Sequence, residues 1–171
     1  MLWFNRPPVD LLPAVLEKLP ENVDLGLDRV HYSQNEEGRK KWVLDADRAA
    51  YQRKESELSL SGVELVFFNA GEFGDLKLSA KSGVLFQQEQ LIDLEGDVRI
   101  HAENGASFAT DRLHYDFKRR RARTDAPVRI RSEKLDIRGE GMTLDLERGQ
   151  MKLLSKVHAL LDDRGFAGED Q

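Results

Sequence analysis

The stretch LIDLEGDVRI, Leu91 to Ile100, alternates apolar and polar residues on both sides of a glycine. Upstream, LSLSGVELVF, Leu58 to Phe67, has nearly the same form. A period of two puts successive side chains on opposite faces of a strand, so each stretch has one apolar and one wet face. A glycine inside such a strand marks a bend, a bulge or a close approach.

The pattern repeats. Gly62 lies sixteen positions after the Ala46 of ADRAAY, and Gly96 lies sixteen after the Ala80 of AKSGVL. A third unit starts at Thr110 in TDRLHY and reaches Ala126 sixteen residues on. A fourth, weaker one starts at Gly139 in GEGMTL and reaches Ser155. The starts are 34, 30 and 29 residues apart. Each unit reads as a strand, a charged turn, a returning strand, a kink and an alternating continuation. Repeats near this length build stacked or rolled architectures in which one unit cannot bury its own apolar face. Gly62 and Gly96 are therefore expected at corners between two sheets.

The chain has 171 residues and a net charge of −5, with 40% apolar and 33% charged residues. That is a globular composition of single-domain length. The acidic balance speaks against a nucleic-acid binder, which needs a net basic surface. The absence of cysteine removes disulfides, thiolate metal sites and cysteine nucleophiles. No run approaches the roughly 18 apolar residues of a membrane span. The opening MLWFNRPP nevertheless resembles the interfacial end of a membrane helix, or else an ordinary N-terminal tail. DLLPAVLEKL, Asp10 to Leu19, reads as a short amphipathic helix ended by Pro20. After Pro20 the period is two, broken by turns at Asn35–Gly38, at NAGEFGD and at the Asn104–Gly105 pair.

The chemistry of an enzyme is not visible. No phosphate-binding glycine loop or nucleophile elbow occurs, and His31, His101, His114 and His158 are scattered without metal-ligand spacing. Asp and Glu fall on wet faces and turns, so no carboxylate pair has a reason to act as acid and base. No cofactor, metal or catalytic residue is expected. The cluster KRRRAR, Lys118 to Arg123, reads as a solvated hairpin tip, with contact to anionic headgroups as the alternative. The apolar face reads in two ways: residues that pack an ordinary core, or an interior left partly open to hold something greasy.

WVLDADRAAY…LSLSGVELVFF, AKSGVL…LIDLEGDVRI…NGASFATDRLHYD…APVRI and LDIRGEGMTLDLERGQMKLLSKV resemble the OstA-like repeats of lipopolysaccharide export proteins, most of all their LptC-like periplasmic members. The resemblance covers about Leu25 to Leu161. It implies an all-β fold, an open V-shaped β-jellyroll of two antiparallel sheets built from repeated strand pairs, preceded by the short helix. It divides the chain into a membrane-proximal stub at 1–22, the jellyroll at 23–162 and a flexible tail at 163–171. It also implies a seat on the periplasmic side of the inner membrane, with only MLWF left of the anchoring helix.

The same resemblance tips the apolar face towards a lipid groove. Its expected lining is Leu44, Leu60, Leu65, Phe67, Leu78 and Leu94 from the first half of the domain. From the second half it takes Val98, Ile100, Tyr115, Phe117, Val128, Ile130 and Leu144. The implied function is non-enzymatic lipopolysaccharide transport, handing acyl chains from an inner-membrane ABC transporter to a soluble LptA-like bridge. The partner strands would be an N-terminal edge with Leu25, Leu27, Val30 and Tyr32, and a C-terminal edge with Met151, Leu153 and Val157. Two free edges also permit head-to-tail self-association. The alternative is a structural adaptor of the envelope, with a filled core and no lipid cargo.

Overall fold

The computed structural model describes residues 24–52 and 54–161. The expected helix at 10–19, the stub around it and the tail from 163 lie outside the described residues. Nine antiparallel strands follow one another: β1 (Asp24–Glu36), β2 (Arg39–Gln52), β3 (Glu57–Phe67), β4 (Leu76–Phe86), β5 (Leu91–Ala102), β6 (Ser107–Asp116), β7 (Arg121–Arg131), β8 (Leu135–Asp145) and β9 (Gln150–Leu161). Each pairs only with its neighbours in sequence, giving one open sheet in the order β1 to β9. Short hairpins suffice for this topology, and the chain supplies them. Glu37 and Gly38 both take positive φ at the β1–β2 turn, and Asn104–Gly105 form the β5–β6 turn.

The long strands are interrupted mid-way, and the interruptions line up across the sheet. Pairing between β2 and β3 passes from Ala46↔Val63 to Arg48↔Ser61, leaving Asp47 opposite Gly62. The register itself shifts between Ser79 and Ser82, Glu95 and Val98, Thr110 and His114, Thr124 and Pro127, and Arg138 and Glu140. Gly62 and Gly96 sit on this line with φ of +63° and +87°, a backbone that glycine adopts without strain. Each sixteen-residue offset in the sequence is therefore one hairpin, measured from the line out to its turn and back.

The line is a fold. In a flat sheet β3 and β6 would lie three spacings apart, about 14 Å. Instead the ring of Phe67 on β3 is 4.6 Å from that of Tyr115 on β6. Trp42 of β2 similarly lies 4.4 Å from Phe117, just past β6. The two expected sheets are thus one continuous sheet doubled over, with its apolar faces together. Leu44, Leu65, Leu78, Val98, Ile100 and Val128 come from one layer; Leu58, Leu60, Ile92, Leu94, Met142 and Leu144 come from the other. Each fully buried side chain of this kind contributes about 1.5–3 kcal/mol.

The β3–β4 connection closes the layers at one place. It contains a 3-10 turn, Gly71–Phe73, within the NAGEFGD break between the two strands. Phe73 is buried there, edge-on to Phe108 at 5.7 Å. The turn rests on the β8–β9 turn at Gly149. Arg120 donates to the carbonyl oxygens of Phe68 at 3.4 Å and Asn69 at 3.5 Å. The basic cluster is thus a hairpin tip with internal partners. Asp116 accepts from the backbone N–H groups of Lys118 and Arg119, and Arg121 faces Asp145 at 3.8 Å.

Candidate functional site: the apolar interior and its two edges

The residues expected to line a groove all come together between the layers. Twelve of the thirteen are buried, from Leu65 at 0% to Ile130 at 6% exposure, and Phe117 is half-buried. They touch one another, so in this conformation the interior is filled by its own side chains.

The interior ends differently on its two sides. Towards β1 it is stoppered by aromatic rings. Tyr32 stacks on Trp42 at 5.4 Å, Trp42 contacts Phe117, and Phe117 meets Tyr115 edge-on at 4.9 Å. The Trp42 indole N–H donates to Oε1 of Gln34 at 2.7 Å, which satisfies the buried polar atom. Burial pushes the Tyr115 phenol above its ordinary pKa, and the Arg120 guanidinium beside it opposes that shift. Beside the stack lies a cavity of about 350 Å³, floored by Tyr51 and Leu85 and rimmed by glutamines of the β4–β5 turn. Among the β1 residues expected at the partner edge, Val30 is buried while Leu27 and Tyr32 pack partly against the core. Leu25 lies on β1 opposite Tyr51.

Towards β9 the described residues supply no stopper. The inner rows run on from Leu144 to Met151, from Met142 to Leu153, and from Ile137 to Ala159. Met151 and Leu153 are half-buried, and Val157 is 52% exposed. The sequence reading missed Leu154, Leu160 and Leu161, which are at least half exposed on the same strand. Their signal was available: MKLLSKVHALL breaks the alternation and places apolar residues on both faces. Among the described residues β9 is an edge strand that carries leucine on both faces and has a neighbouring strand on one side alone, which makes it a template for a further strand.

The outer faces are polar and paired. His31 meets Asp45 at 2.6 Å and His114 meets Asp93 at 2.5 Å, each across adjacent strands. Arg129 and Arg131 both reach Asp136, at 2.7 and 3.5 Å. Hydrogen bonding from Arg129 holds the Asp136 carboxyl below its usual range. Among the described residues no group of three or more His, Asp or Glu could hold a metal ion. No described helix is long and apolar enough to cross a membrane.

A doubled, kinked meander with an unclosed edge matches known architecture. A family model described as lipopolysaccharide-assembly, LptC-related, matches residues 1–162. The chain belongs to the LptC-related family. Comparison with curated proteins returned no match. Among solved structures, the chain is similar to LptH from Pseudomonas aeruginosa, the LptA-homologous periplasmic component of the conserved lipopolysaccharide transport device. The two share 12% identity over 70% of this chain and 93% of that one, with a TM-score of 0.56, a likeness of fold. Family membership gives the chain a non-enzymatic role in periplasmic lipopolysaccharide transport. The expected fold class stands with it.

Proposed function

We propose that this LptC-family chain carries lipopolysaccharide acyl chains between its two layers, from an inner-membrane ABC transporter at the β1 edge to an LptA-like bridge at the β9 edge. The observation that carries this reading is the asymmetry of the interior. Its apolar rows stop at an aromatic wall near β1 and, among the described residues, run out uncovered at β9. A jellyroll added to β9 would extend both layers and continue those rows. Acyl chains in such a path gain about 0.8 kcal/mol per buried methylene, while the charged head stays in water. Because the lining side chains now fill the interior and aromatic rings wall its β1 end, cargo moving from β1 to β9 needs the layers to part and the rings of Tyr32, Trp42 and Phe117 to move aside. The proposed seat is the periplasmic face of the inner membrane.

A second reading, a structural adaptor without cargo, draws on the completeness of that packing: Leu65, Ile92, Val98 and Met142 are all at 0% exposure. A photocrosslinking residue at Ile137, half-buried on the inner face beside β9, separates the two in cells that export lipopolysaccharide. A lipopolysaccharide adduct that depends on ATP hydrolysis is expected. A folded chain that binds its bridge partner and gives no adduct would leave the adaptor.

A further inference from the structure

The cavity beside Trp42 has a composition that the acyl-chain path does not use. Aromatic rings of Tyr32, Trp42 and Phe117 form one wall. The remaining polar lining is Gln87, Gln88 and Gln90 of the β4–β5 turn with Ser56 beside them, and Gln34 beside Trp42. None of the lining side chains among the described residues carries a charge. A phosphate would find no cation there to offset its desolvation. An acyl chain would lie against amides and leave them unsatisfied. A ligand suited to both walls has apolar C–H faces and a periphery of hydroxyls, and carries no charge. That is the chemistry of a pyranose ring.

We propose that this cavity is a subsite for a neutral sugar ring. Its 350 Å³ lies at the small end of ligand pockets, which span about 300–1,000 Å³. The Trp42 N–H is already taken by the Gln34 carbonyl oxygen, and that bond leaves the Gln34 amide donors to the ligand. Gln88 donates to the Ser56 hydroxyl at 3.3 Å, which braces the rim. The floor, Tyr51 and Leu85, belongs to the buried core, so the subsite joins a polar mouth directly to the apolar interior. The sugar could be the head of a glycolipid or a free saccharide. The glycolipid form rests on the transport reading above.

The test is saturation-transfer NMR on the full chain, with N,N′-diacetylchitobiose (chitobiose) as the neutral saccharide and decanoate as the acyl probe. Chitobiose should receive saturation through its ring protons and shift the Trp42 indole signal. The double variant Gln87→Ala, Gln88→Ala, altered only in the β4–β5 turn, should bind it about five- to tenfold more weakly. No transfer to chitobiose, equal transfer in the double variant, or displacement of chitobiose by decanoate would each overturn the subsite. The Ile137 crosslink is read in parallel. A lipid adduct without chitobiose binding sinks the subsite alone. Chitobiose binding without an adduct sinks the transport reading and assigns the subsite to a free saccharide.

Discussion

Gly71 and Gly149 meet backbone to backbone where the two layers close, so tightly that a Cβ built on Gly149 would lie 2.1 Å from the amide nitrogen of Glu72. Both take positive φ, +55° and +67°. An alanine at 149 would add left-handed backbone strain of about 1–2 kcal/mol to a clash with main chain that cannot swing aside. Gly105 is the control: its φ is +100°, but nothing lies within 4 Å of its Cβ position. In urea denaturation Gly149→Ala should therefore cost clearly more stability than Gly105→Ala. Equal losses would mean that the two turns do not bear on each other in solution.

Tyr115 gives the interior a pH signature. Its phenol ionises near 10.0 in the unfolded chain, while burial holds the proton on to higher pH in the folded one. The folded state then binds more protons than the unfolded state, so stability is fully present below about pH 10 and falls as the pH rises beyond it. Thermal melts between pH 8 and 11 should show that decline, and Tyr115→Phe should flatten it. An unchanged slope in the variant would place the alkaline loss elsewhere.

Asp136 acts at the other end of the scale. Its carboxylate accepts hydrogen bonds from Arg129, with Arg131 close by, and its pKa is lowered from 3.8 by the Arg129 bond first of all. A depressed carboxylate contributes stability that is present above its unfolded value and lost as the pH falls through its folded value. Asp136→Asn should remove that contribution, so that wild type and variant begin to approach each other as the pH falls below about 4 and meet only below the lowered folded value. The pair is partly exposed, and added salt should narrow the difference at neutral pH. A gap that persists undiminished in acid would trace to packing rather than charge.

Much of this fold is legible in the chain because each half of a strand has one wet and one dry face, and a period of two survives in any sequence that must satisfy both. Gly62 and Gly96 mark the fold line because only a residue free to take positive φ turns the strand there cheaply. The packing of Phe67 on Tyr115 could not be read, since it depends on which halves of distant strands end up face to face. The 3-10 turn at Gly71–Phe73 hid for the same reason: it is held by a neighbour nearly eighty residues away in sequence, Gly149. The candidate interior followed from alternation, but its closure by Tyr32, Trp42 and Phe117 needed the structure. Leu154, Leu160 and Leu161 were passed over because they break the very alternation that identified every other strand.

The exposed apolar residues of β9 supply the sharpest test of the edge. Val157, Leu160 and Leu161 are 52%, 67% and 61% exposed, so charges there remove little buried contact within the chain. Val157→Asp combined with Leu161→Asp should change stability by no more than about 0.5 kcal/mol per site. The same substitutions would set two carboxylates into the continuation of the apolar rows, where an added jellyroll would have to desolvate them. Binding to a purified LptA-type bridge protein should then fall at least tenfold, while the isolated chain keeps its melting curve. By contrast Leu65→Ala, fully buried on β3, should cost about 2–5 kcal/mol of stability and leave the edge itself intact. If the edge variant binds as well as wild type, β9 is not where the bridge attaches, and the uncovered rows beside it serve another purpose.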